Sequence, residues 1–137
     1  MFYKKNLSSF LTFLICPLTF AQSQNDLIKG YWAIQPLVNG IANVVYLDGK
    51  ETTTNYAFEC DFQNKTSKPT GAAEVSKYKI ENNNLYLIYP NEEGNQTLHI
   101  KSLEKDKMTL EQSLFETHVL TFEYQRVDGV KNLCPIK

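Results

Sequence analysis

The segment Tyr78-Lys79-Ile80-Glu81-Asn82-Asn83-Asn84-Leu85-Tyr86-Leu87 decides the fold class. Tyr78 and Ile80 alternate with Lys77, Lys79 and Glu81, which makes one face apolar and the other charged. That is the period of a half-buried strand. Asn82 to Asn84 then form a turn, because Asn tolerates the left-handed backbone angles a tight hairpin demands. Leu85 to Tyr89 is the return strand, and Pro90, which has no N–H for a ladder, ends it.

The same rhythm runs in both directions from this hairpin. Downstream, Asn91 to Asn95 turn the chain into Gln96 to Leu103, with Leu98 and Ile100 on one face and Thr97, His99 and Lys101 on the other. Glu104 to Lys107 turn it again into Met108 to Gln112, and Val119 to Val127 closes the series. Upstream, Ile28 to Ile34 and Ala42 to Leu47 read as strands around a Pro36 to Gly40 loop. Asp48-Gly49-Lys50 is a strong hairpin turn. Thr52 to Phe62 carries Tyr56, Phe58, Cys60 and Phe62 on one face. Lys65 to Ala73 reads as irregular, and Asn25 to Lys29 as one short helical turn. The pattern predicts an all-β fold: an antiparallel up-and-down meander of about eight strands, forming a small or partly open barrel. The alternative is a Greek-key sandwich, for which only the 64–76 stretch offers a crossover.

The N-terminus belongs to a different kind of segment. Lys4 and Lys5 precede the apolar run Leu7 to Phe20, and Thr19-Phe20-Ala21 leads into polar Gln22 to Asn25. A positive start, a short apolar stretch and small residues before a polar segment make a secretory signal. The run, about 14 residues, is shorter than the roughly 20 that span a bilayer, so a stable membrane anchor is not expected. Residues 1–21 are expected to be cleaved after Ala21, leaving 22–137 as one domain in the periplasm or secreted. Cys16 lacks the small preceding residue of a lipoprotein signal.

Cleavage removes Cys16 and leaves Cys60 and Cys134. An even pair in an oxidising compartment predicts a Cys60–Cys134 disulfide, while two isolated Cys supply too few ligands for a metal. With 14 basic against 15 acidic residues, the net charge argues against a nucleic-acid binder, which would need a basic face to neutralise phosphates, so nucleic acid is not an expected partner. Losing Lys4 and Lys5 makes the mature chain more acidic still.

Several of these segments carry a likeness. Gly30-Tyr31-Trp32 is similar to the Gly-x-Trp that opens lipocalin barrels, and Tyr78 to Leu87 resembles that group's strand, Asn/Gly turn, Leu-x-Leu unit. Ile100 to Leu103 and Asp106 to Leu110 continue it. Tyr124-Gln125-Arg126 is similar to the closing aromatic-x-Arg. The chain thus resembles the bacterial lipocalin-like proteins of the calycin group. The resemblance implies that Arg126 packs over Trp32 and seals one barrel end. Trp32 is the sole Trp and Arg126 the sole Arg, and a guanidinium stacks on an indole better than an ammonium does. Val127 to Lys137 is too brief for the C-terminal helix of a full lipocalin, so a small, side-chain-filled barrel is expected.

Catalytic chemistry is not legible. His99 and His118 lack zincin spacing, Glu92-Glu93 sit in a turn, and Ser102 and Ser113 lack nucleophile-elbow glycines. No cofactor, metal site or enzyme activity is expected. The resemblance implies a monomeric binding module for a small apolar or amphipathic molecule. Its interior is expected to be lined by Tyr46, Phe58, Tyr78, Ile80, Leu87, Leu98, Ile100, Met108, Leu110, Leu120 and Phe122. The alternative is an inhibitor or immunity-type protein that blocks an enzyme with its loops, Pro36 to Gly40, Asn64 to Gly71 and Gln112 to His118.

Overall fold

The computed structural model describes residues 23–34, 41–91 and 93–130. One short helix, α1 (Gln24–Ile28), precedes nine strands. These are β1 (Gly30–Ile34), β2 (Ile41–Leu47), β3 (Thr52–Asp61), β4 (Thr66–Pro69), β5 (Glu74–Glu81), β6 (Asn84–Ile88), β7 (Gln96–Leu103), β8 (Lys107–Phe115) and β9 (His118–Val127). Every pairing is antiparallel. The sheet runs β2-β1-β9-β8-β7-β6-β5-β3, and β2 also pairs with β3, so eight strands close into a barrel and β4 hangs on β3 as an extra strand. Closure leaves no open sheet edge in the ring, which removes the usual template for strand-to-strand aggregation.

Local chemistry sets the hairpins. Asn82 and Asn83 both take positive φ, 52° and 59°, the pair that a two-residue mirror-image turn needs. At the β2–β3 turn, Asp48 Oδ1 accepts from the backbone N–H groups of Lys50, Glu51 and Thr52 at 2.7, 2.9 and 3.0 Å. α1 is capped by Ser23, whose hydroxyl accepts from the Asp26 N–H at 3.2 Å.

The stretch read as irregular contains β4. Asp61 Oδ1 accepts from the N–H groups of Gln63 and Asn64, and Lys65 takes a φ of 55°, which folds the chain back so that Thr66–Pro69 pairs with Phe58–Asp61. Pro69 hid the strand in the sequence. It is tolerated because β4 is an edge strand, where a missing N–H leaves no ladder partner unsatisfied.

Register fixes which side chains enter the barrel. Trp32 is fully buried and stands opposite Val45 on β2 and Arg126 on β9, while Val45 stands opposite Asn55 on β3. Since side chains alternate between faces, Val45, Leu47, Thr53 and Asn55 point inward with Trp32. The core is Ile28, Trp32, Leu47, Tyr78, Leu85, Leu98, Ile100, Met108 and Leu110, with Ile80, Leu87, Leu103, Phe122 and Tyr124 packed against it.

Two residues expected inside stand outside. Tyr46 faces out beside Tyr31, ring centroids 4.6 Å apart, and Phe58 shares the outer face of β3 with Cys60. The aromatic side of β3 is its outer side, and its polar side, Thr53 and Asn55, faces the lumen. Cys60 is only 7% exposed and packs with fully buried Ala42. Cys134, Cys16 and residues 1–21, expected to be a signal segment, lie outside the described residues.

Candidate functional site

The two barrel ends differ in construction. At one end, α1 crosses the opening and buries Ile28 completely. The Trp32 indole N–H donates to the Ile28 carbonyl at 2.7 Å, tying the plug to the first strand. Above the indole, the Arg126 guanidinium lies 4.2 Å from the ring centre. Its nitrogens also donate to the carbonyls of Leu27, Lys29 and Lys105. One planar cation thus joins the last strand, the plug helix and the β7–β8 turn. Lys could not do this, having a point charge in place of a flat fork. Gly30 belongs to the same device. It has a φ of 133°, and a Cβ there would run into the Arg126 Nη1 atom.

At the other end, no element among the described residues crosses the opening. The β6–β7 and β8–β9 turns and the β3–β4–β5 connection gather there, together with Ile34 and the start of β2, which bracket residues 35–40 outside the described set. Inside this end lies a cavity of about 180 Å³. Its apolar lining is Val45, Leu87, Leu98 and Phe122; its polar lining is Asn43, Thr53, Asn55, Glu74, Ser76 and Gln96; Tyr89 and Tyr124 complete it. A wider, shallower recess of about 550 Å³ adjoins it and shares Glu74, Tyr89 and Gln96.

Electrostatics inside the cavity are distinctive. Burial, and secondarily the neighbouring Tyr89, pushes the Tyr124 phenol up to about 12. Tyr89 is also raised, first by burial and then by the Glu74 charge. Both therefore stay neutral hydroxyls across the physiological range. Thr53, 6% exposed, has a buried hydroxyl with no hydrogen-bond partner among the described residues. An unmet buried hydroxyl costs about 1–3 kcal/mol, which a ligand or water in the cavity would recover.

Of the residues expected to line the interior, Leu87, Leu98 and Phe122 do reach this cavity. Tyr78, Ile100, Met108, Leu110 and Ile80 lie deeper, in or against the packed core. Leu120 follows Phe122 on the inward row of β9, but the β8–β9 hairpin projects past the barrel there and leaves it 44% exposed. Leu114, Phe115 and Val119 are exposed on the same hairpin, Phe115 by 78%.

The polar half of the wall escaped the sequence reading because β3 was assigned its more apolar face as interior. A signal existed. Leu47 is apolar at the end of β2, and counting across the Asp48 turn to its partner Thr53 sets the parity of β3. Among the described residues, no group of three or more His, Cys, Asp or Glu could hold a metal ion. His99 is exposed, its Nδ1 3.4 Å from Asn84 Oδ1, and His118 is exposed near the β8–β9 turn.

A family model of the lipocalin-like domain matches residues 28–110, more than half of the chain. The chain belongs to the lipocalin-like domain family. The match spans β1 to the first half of β8, and the β1–β9 pairing supplies the closure beyond it. No curated protein and no solved structure matches the chain. A lipocalin-like barrel, sealed at the Trp32 end and, among the described residues, uncovered at the Tyr89 end, has the form of a ligand-binding module. Among the described residues, no helix is long and apolar enough to cross a membrane.

Proposed function

We propose that this lipocalin-like chain is an exported, monomeric, non-catalytic module that holds a small amphipathic molecule in the open-end cavity. The observation that carries the reading is the pairing of a sealed end with an open cavity whose wall is half apolar and half hydrogen-bonding. The size of the cavity limits the guest. Small-molecule sites commonly run from about 300 Å³ upward, whereas a cavity of about 150 Å³ suits a benzene-sized group. The 180 Å³ space therefore takes one ring or a short chain, with the rest of the molecule in the outer recess. Val45, Leu87, Leu98 and Phe122 receive the apolar part. Asn43, Thr53, Asn55 and Tyr124 offer hydrogen bonds.

Native mass spectrometry of the mature protein, with and without added 2-phenylethanol, tests this. A one-to-one adduct that disappears in Leu98→Trp, whose indole would fill the space, is expected. Failure of wild type to hold any guest would count against the cavity as a binding site.

The alternative, a protein that blocks an enzyme, draws on the β8–β9 hairpin. Leu114, Phe115, Val119 and Leu120 make an exposed apolar tip beside the open end, a feature often seen at protein contacts. In that reading the tip docks and the cavity is incidental.

A further inference from the structure

We propose, building on the cavity reading, that the guest carries an organic ammonium group, with Glu74 as its counter-ion and Tyr89 and Tyr124 as its aromatic neighbours. The first support is the charge balance of the open end. Among the described residues, the inner cavity and the outer recess are lined by two carboxylates, Glu74 and Glu93, and by no Lys, Arg or His. A carboxylate-bearing guest would meet repulsion and find no cation, whereas an ammonium would find a counter-charge.

The second support is that no lysine engages Glu74 among the described residues. Glu51, Glu59, Glu81, Glu111 and Glu123 each pair with a lysine, at Lys77, Lys68, Lys79, Lys101 and Lys107. Glu74, inward-facing at the start of β5, has no ion pair among the described residues. Glu93, Glu104 and Glu116 also lack an ion pair among the described residues, but only Glu74 lines the inner cavity, so its charge is the one left for a guest there.

The third is the chemistry of the wall. Phe122, Tyr89 and Tyr124 line the cavity with Glu74, and aromatic faces attract cations through the ring quadrupole. Both tyrosines are neutral phenols at physiological pH, as ordinary tyrosines are, so neither competes as a phenolate for the role of Glu74. Glu74 and Tyr89 belong to both the inner cavity and the outer recess. A guest with its ring against Leu98 and Phe122 would place its ammonium where the two spaces meet.

Three probes of one size separate this proposal from the cavity reading on which it rests: 2-phenylethylamine, 2-phenylethanol and phenylacetate. Isothermal titration of the mature protein at low salt is expected to rank them amine, alcohol, acid, with the amine about tenfold tighter than the alcohol, as a charge-assisted contact gives. The amine's advantage should shrink in high salt. In Glu74→Gln it should disappear, while Glu123→Gln, on the outer face, should keep it. Equal or tighter binding of the alcohol or the acid would overturn the ammonium assignment and leave the cavity reading standing. So would a Glu74→Gln variant that keeps the amine preference. If none of the three binds, both readings fail together.

Discussion

The Arg126 guanidinium stands over the Trp32 ring at 4.2 Å, so the last strand of the barrel is locked to the first by a cation on an indole. The two residues are also register partners across the β1–β9 ladder, which is the pairing that closes the sheet. The same guanidinium holds the plug helix through the Leu27 and Lys29 carbonyls. Sealing and closure are therefore one device, and any binding is left to the opposite end.

Arg126→Ala should lower stability by about 2–4 kcal/mol, because it removes the cation–π contact and strips charged donors from three carbonyls. Arg126→Lys should recover only part of this. Gly30→Ala should also destabilise, but less so in an Arg126→Ala background, because its Cβ then meets no guanidinium. Urea melts of the four proteins measure the coupling. Additive losses would show that the two positions act separately.

Asp48→Ala should cost about 1–2 kcal/mol by releasing the three backbone N–H groups of the β2–β3 turn. Burial works to raise the Asp48 pKa, but those donors win and hold it below the usual 3.8. A depressed folded value contributes stability above the unfolded pKa and loses it as pH falls through the folded one. Wild type should therefore lose stability in strong acid that Asp48→Ala has already lost. Melting temperatures at neutral and strongly acidic pH should converge for the two proteins.

Alkali should act through two phenols. Burial, followed by the charge of Asp48, raises Tyr78 to about 12, and burial does the same for Tyr124. An unfolded tyrosine ionises near 10. The folded state thus keeps protons that the unfolded state releases, and stability falls as pH rises from about 10 to about 12. Absorbance titration should show these two tyrosines ionising late, together with loss of the β-sheet circular dichroism. Complete ionisation of all tyrosines in one step near 10, with the sheet intact, would contradict their burial.

Cys60 is buried at the far end of β3, and its proposed partner Cys134 lies outside the described residues. A bridge closing about 75 residues would add about 4 kcal/mol in the chain-entropy model. Unfolded, unreduced mature protein should then show no reactive thiol, and reduction should lower its melting temperature. Two reactive thiols would refute the bridge.

The barrel was legible because its signals are local. The Asn82–Asn83 turn, the Asp48–Gly49 turn and the period of Tyr78, Ile80, Leu98 and Ile100 each depend on a few neighbouring residues. The lumen wall was less so. Whether Phe58 or Asn55 faces inward depends on the parity inherited from Trp32 through Val45, a relation across three strands. Apolar content alone points the wrong way on β3, because the outer face of β3 carries its large aromatic side chains, Tyr56 and Phe58, together with Cys60. Glu74 gave no local signal at all: it resembles any charged strand residue until Asn55 is found opposite it. β4 was obscured by Pro69, whose missing N–H matters only if the strand has a neighbour on both sides.

The most direct test of the account is to map where a small amphiphile binds. The mature protein would be titrated with 2-phenylethylamine and followed by amide and methyl NMR shifts. The account predicts saturable shifts at Val45, Leu87, Leu98 and the backbone of Glu74 to Ser76, with the signals of Leu27 to Lys29 at the sealed end unmoved. Shifts confined to Leu114, Val119 and Leu120 on the hairpin, or none at saturation, would contradict it.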